Sequence, residues 1–210
     1  MPLNKKIIKD TRFKIFYISP RIVKYCIASS DHCDYTQFES NKFHPHAAQD
    51  RGVFKEDLNG YIRIINSSWD KNPGILFSKL DEYQSLLNHY LGKENWKKSK
   101  FAQRYYNFLK IKNIPDRGFT NANNFLSGRE KQIDKLFESI LKNNIYPTNI
   151  ENDKKLFIDN ISLALTKNEK IYFNNRGHHR LSIAKILGVK KIPVKITIAK
   201  SIKILKKFIS

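Results

Sequence analysis

Cysteine is almost absent from this chain, with two residues, Cys26 and Cys33, in 210. Two thiols cannot build a disulfide framework, so a reducing cytoplasm is the expected setting. Long apolar runs are missing too. Ile15-Phe16-Tyr17-Ile18 has the length of a strand, not of a secretory leader, and no window approaches the ~20 apolar residues of a membrane span. Asn66-Ser67-Ser68 fits a glycosylation sequon that carries no meaning without secretion. Acidic residues are scarce: 19 Asp and Glu face 39 Lys and Arg, a formal net charge of +20. Such a balance favours anionic partners, whether nucleotides, phosphorylated substrates, nucleic acid or a membrane surface. Enrichment in Lys, Asn and Ile, as an AT-rich genome would produce, accounts for part of it.

What is present is enough for a folded core, since 40% of the residues are hydrophobic. Arg12 to Tyr17 reads as a strand ended by Ser19-Pro20. Ser29 to Asn59 is polar and aperiodic, and a loop of that length is expected to be functional or poorly ordered. Tyr61 to Ile65 returns to strand character. Leu76, Leu80, Tyr83, Leu87 and Tyr90 recur at helical spacing. Phe101, Tyr105, Phe108 and Leu109 repeat the pattern behind a cap at Ser99. Gly118 to Asn124 reads as a polar connector. Ser127-Gly128-Arg129-Glu130 has the form of a capping box, opening a helix whose face is Ile133, Leu136, Phe137, Ile140 and Leu141. Ile161 to Leu165 alternates like a half-buried strand, turns at Lys167 to Lys170 and pairs back through Ile171-Tyr172-Phe173. A helix with Leu181, Ala184 and Leu187 inward should close at Gly188, followed by a strand from Ile192 to Ile198. Lys200 to Ser210 forms a basic amphipathic tail. The chain thus divides into a strand and loop extension (1–70), a helical segment (71–128), a core (129–200) and the tail (201–210).

The basic charge is concentrated: from Lys170 to Ser210 there are 11 basic residues and no acidic one. Inside that stretch lies Asn174-Asn175-Arg176-Gly177-His178-His179-Arg180. A glycine turn that opens a helix gathers backbone N–H groups and the positive end of the helix dipole, which suits an anion. Arg180 can fork two phosphate oxygens, and His179 can donate a hydrogen bond or move a proton near neutral pH. Gly177, His178, His179 and Arg180 are therefore the expected phosphate or nucleotide contacts. The plainer alternative has Arg180 lying over the sheet and His179 capping its helix.

Several motifs in order resemble the ParB/sulfiredoxin superfamily. They are the helix Ile133 to Ile140, the turn Asn143-Asn144-Ile145-Tyr146-Pro147, the signature Gly177-His178-His179-Arg180-Leu181-Ser182-Ile183-Ala184, and Gly188 with Ile192-Pro193-Val194. Trp69-Asp70 and residues 74–125 resemble the upstream part of a broader ParB-like group. The resemblance implies an α+β fold, a small mixed sheet with packed helices, preceded by a helical and irregular N-terminal extension. It also implies a nucleotide at Gly177 to Arg180: CTP in ParB proteins, ATP or ADP in sulfiredoxins and the related free-serine kinases, with magnesium. The departures carry weight as well. His178 stands where sulfiredoxins place their cysteine, so reductase chemistry is not expected. Arg176 stands where the serine kinases have aspartate. No helix-turn-helix follows the core, which disfavours chromosome partitioning.

A protein that binds a nucleotide or other phosphorylated ligand at this turn is the leading expectation, with phosphotransfer to a small molecule as the activity such a site could serve. A nucleic-acid binder or ParB-like nuclease is the second, and a non-catalytic interaction protein the third. Phosphotransfer needs a carboxylate to accept a hydroxyl proton. Asp70, Glu130, Asp134 and Glu138 are the candidates, although Asp70 reads better as a helix cap. Tyr83, Tyr90, Tyr105 and Phe108 read as core before they read as base-stacking rings. His32, Cys33, His44 and His46 are ligand types in one loop, but their spacing suits zinc poorly, and no metal site is expected. Lys185 reads as a solvated lysine.

Overall fold

One strand, Ile192–Ala199, holds the sheet together, and all of its residues are buried. A computed structural model describes residues 5–8, 14–27, 61–65, 70, 75–112, 119, 121–143, 160–174 and 176–209. Its strands are β1 (Lys5–Ile8), β2 (Phe16–Ile18), β3 (Tyr25–Cys26), β4 (Ile62–Ile65), β5 (Ile75–Leu76), β6 (Ile161–Leu165), β7 (Ile171–Phe173) and β8 (Ile192–Ala199). Its helices are α1 (Asp81–Tyr90), α2 (Lys100–Lys112), α3 (Ala122–Asn143), α4 (His178–Ile186) and α5 (Ile202–Ile209).

The architecture is mixed α+β. The strands form one sheet in the order β1-β4-β8-β6-β7-β3-β5, with β2 also on β8. β2 pairs antiparallel with the first half of β8, from Phe16 opposite Val194 to Ile18 opposite Ile192. β4 pairs parallel with its second half, Arg63 opposite Ile198. β6 runs parallel to β8, and two parallel neighbours need a crossover. The hairpin arm β7 and helix α4 supply it. Strands from both ends of the sequence therefore share one sheet.

The alternation in Ile161 to Leu165 suggested one wet face, but every residue of β6 is buried. Both faces of this central strand are covered, as is usual for parallel pairs. One face, with Leu163, Val194 and Ile196, joins the main core beneath the helices. The other, with Ile65, Ala164, Tyr172 and Ile198, forms a second cluster. Between Leu163 and Ala164 the β6–β8 register shifts by one residue. The Thr197 hydroxyl uses this bulge, donating to Leu163 O at 3.1 Å and accepting from Asn174 Nδ2 at 2.7 Å.

The helical block differs from its sequence pattern at two starts. Leu76 belongs not to a helix but to β5, paired with Tyr25, and a 3₁₀ turn at Phe77–Lys79 precedes α1. Helix α3 begins at Ala122, well before the Ser127–Glu130 box. Its cap is Asn121, whose Oδ1 accepts from Asn124 N at 2.9 Å. Gly128 inside the helix is required by Phe119, whose ring occupies the space a Cβ would take. The Ser99 cap on α2 is as expected, with Oγ accepting from Ala102 N at 3.3 Å. The aromatic rings are core: Tyr105 stacks on Phe125 at 4.5 Å, Tyr90 on Phe137 at 3.8 Å, and Tyr83 meets Phe77 edge-on. The side chain of Phe108, and the loop carrying His32, Cys33, His44 and His46, lie outside the described residues.

Candidate functional site

Three hydrogen bonds set the geometry of the glycine turn. Asn174 N donates to Ser162 O at 2.8 Å, and Ser162 N donates to Arg176 O at 3.1 Å. Asn174 is itself buried and tied to Thr197. These contacts press Gly177 against β6. Its φ is +85°, and a Cβ would lie 2.9 Å from Ile161 Cα. Only glycine fits here, for both conformation and space. Gly177 also leaves the first turn of α4 without a side-chain cap, while Leu181 N donates to Gly177 O at 2.8 Å to begin the helical ladder. His178, His179 and Arg180 occupy that first turn, each partly exposed.

The helical block completes the corner. Glu82, in the first turn of α1, is only 8% exposed. Its Oε1 lies 2.9 Å from His179 Nδ1, and its Oε2 lies 4.0 Å from His178 Nδ1. The first turns of α1 and α4 therefore meet, bringing together the positive ends of two helix dipoles. From α3, Arg129 places Nη2 3.2 Å from the same His179 Nδ1. One imidazole nitrogen cannot donate to a carboxylate and accept from a guanidinium at once. The shorter contact, to a buried carboxylate, is the stronger. Nδ1–H thus donates to Glu82, and Arg129 flanks the pair. Arg104 of α2 pairs with Asp81 beside it. The Phe173 ring packs 4.2 Å from the His178 ring, and Phe101 meets His179 edge-on at 6.4 Å.

None of the expected proton acceptors lies in this corner. Glu130 pairs with Lys97 at 3.1 Å. Asp134 accepts from Tyr90 Oη at 3.0 Å and lies 3.2 Å from His89 Nε2. Burial and that carboxylate push the Tyr90 phenol up. Glu138 is exposed. Asp70, read as a helix cap, instead accepts from Lys167 N at 2.7 Å and Lys200 Nζ at 2.6 Å. It braces the β6–β7 turn, at the opposite end of β6 from Gly177. Burial works to raise the Asp70 carboxyl, but the bonds from Lys200 and Lys167 outweigh it and hold it below the usual carboxylate range.

Lys185 is not a solvated lysine. Its Nζ donates to Pro20 O at 2.7 Å and sits 5.4 Å over the Phe77 ring. Burial lowers its pKa to about 8. Sequence reasoning missed Glu82, Arg129 and Arg104 as partners of the signature turn. Asp81-Glu82 at a helix start is ordinary dipole complementation, and nothing local marks Glu82 as buried. No group of three or more His, Cys, Asp or Glu among the described residues could hold a metal ion. No helix among them is long and apolar enough to cross a membrane. No family model matches the chain, nor does any curated protein or solved structure.

Proposed function

We propose that the corner between α1, α3 and α4 binds the phosphates of a nucleotide, and that the protein is a ParB/sulfiredoxin-like small-molecule phosphotransferase. The observation carrying this reading is the buried Glu82 carboxylate 2.9 Å from His179, at the first turn of α4. His178 and His179 face Glu82, Arg129 stands beside His179, Arg180 follows in the same first turn of α4, and Asp81 is already paired with Arg104. The surplus is positive, as a polyphosphate requires. A carboxylate inside a phosphate site has one evident use, which is to accept a proton from an attacking hydroxyl.

In this reading Arg180 and the N–H groups of α4 orient the phosphate oxygens. Glu82 takes the acceptor's hydroxyl proton, with His179 fixing its orientation. The new bond joins that oxygen to the terminal phosphorus, and the bond from phosphorus to the bridging oxygen breaks, releasing the nucleotide one phosphate shorter: a diphosphate from ATP or CTP, a monophosphate from ADP. Magnesium fits as a companion of the phosphates, because it commonly keeps its waters and takes few protein ligands. When bound it would neutralise charge on the phosphate oxygens. ATP, ADP and CTP, each with magnesium, are the candidate ligands.

Thermal shifts with ATP, ADP, CTP and GTP, with and without magnesium, test this directly. At least one nucleotide should stabilise the wild type, and Arg180→Ala should lose that shift. An equal shift in the variant overturns the site. The alternative of nucleic-acid binding draws on the exposed Lys203, Lys206 and Lys207 of α5. Mobility shifts that weaken steeply with salt would favour it.

A further inference from the structure

A cavity lies away from the proposed phosphate corner. Strands β4, β8 and β6 are neighbours and mutually parallel. Their carboxyl ends open on a cavity of about 800 Å³. Ile64 of β4 lines it, together with Lys167 and Asn168 just past β6 and Lys200 just past β8. The first turn of α5 forms another wall, with Ser201, Ile202, Lys203 and Ile204. The carboxyl end of parallel strands is where open sheets that carry helices receive their ligands. The volume lies within the range of small-molecule sites.

We infer that this cavity is a second ligand site, taking a small organic anion with an apolar body. The charge arrangement selects the sign. Asp70 is the carboxylate in the wall, and it is spent: its side chain is 5% exposed and bound to Lys200 at 2.6 Å. Glu169, next in the turn, is paired with Lys207 at 2.7 Å. Lys167 and Lys203 are exposed and have no ion-pair partner among the described residues. They leave the mouth positive, and the start of α5 adds its dipole. Ile64, Ile202 and Ile204 make the inner surface apolar, which excludes a bare inorganic anion as the best occupant. A carboxylate or phosphate head at the lysines with a short hydrocarbon body against the isoleucines satisfies both halves.

The site is independent of the phosphate corner. That corner meets β6 at Ile161, and the cavity lies beyond Leu165, so the two are separated by roughly 15 Å along the strand. Octanoate and octyl phosphate supply the two head groups on one body. Octanol and inorganic phosphate supply body and head alone, and phosphatidylserine vesicles supply a lipid surface. Titration of the full chain, followed by calorimetry and by the amide signals of Asn168, Ser201 and Lys203, should give a Kd of about 0.1–1 mM for at least one amphiphilic anion. Octanol and phosphate should bind at least about tenfold more weakly. The K167E/K203E double variant changes exposed side chains only, and its amide spectrum elsewhere should report an intact fold. It should lose affinity about tenfold, while Arg180→Ala should bind as the wild type does. Silence with both amphiphiles, an unchanged Kd in the double variant, equal binding of octanol, or a response confined to vesicles would overturn the inference.

Discussion

Glu82 Oε1 and His179 Nδ1, 97 residues apart in sequence, lie 2.9 Å apart with both side chains largely buried. A carboxylate this buried must be paired to stay ionised, and the His179 imidazole provides the pairing, with Arg129 beside the same ring nitrogen. Replacing Glu82 separates binding from chemistry. Glu82→Gln keeps the shape and a hydrogen-bonding oxygen but removes a negative charge from the proposed phosphate site. Nucleotide binding should be retained or tightened, while phosphoryl transfer should fall by about 10²–10⁴, the usual contribution of a positioned acid or base. The check is a nucleotide thermal shift beside a transfer assay over a panel of hydroxyl-bearing small molecules. Loss of both together would mean that Glu82 only holds the corner in shape.

The glycines that frame α4 make a second, quantitative prediction. Gly177 and Gly188 both have positive φ, +85° and +66°. A Cβ at Gly188 meets nothing within 4 Å, whereas at Gly177 it would collide with the backbone and side chain of Ile161. Gly188→Ala should therefore cost only the left-handed strain, about 1 kcal/mol. Gly177→Ala adds overpacking to strain, for a total of roughly 3 kcal/mol. Urea denaturation of both variants measures the difference. Gly177→Ala should also lose the nucleotide shift, because relieving the collision moves the first turn of α4 away from β6.

These contrasts show which parts of the molecule were legible in its sequence. Gly177, Gly188, the β6–β7 hairpin and the Ser99 cap follow from local rules about conformation and hydrogen bonding, and a local rule can be read from a short window. Glu82 and Arg129 reach His179 only because α1 and α3 pack on α4, and no window contains that packing. The Ser127–Glu130 box misleads for a related reason. Asn121 supplies an earlier cap, and Phe119 settles over Gly128, so the helix runs through the box. Asp70, following Trp69, reads locally as a helix cap. Its actual partners, Lys167 and Lys200, lie 97 and 130 residues away.

Lys185 gives a prediction in pH. Burial is the cause of its lowered pKa, about 8 against an ordinary 10.5. The folded-state value lies below the unfolded one, so between these values the unfolded chain binds more protons. Stability from this residue therefore rises with pH across that window, and below about pH 8 the full penalty of a partly buried ammonium is present. Lys185→Met keeps the length and the contact with Phe77 while removing the charge. Pro20 O keeps Val23 N as a donor, so the carbonyl is not stranded. The variant's advantage in Tm should be greatest near pH 7 and shrink as pH rises toward 10. Melting curves of both proteins across that range decide it. A gap that is constant with pH would show that the Pro20 hydrogen bond and the Phe77 contact hold the ammonium as well as water does.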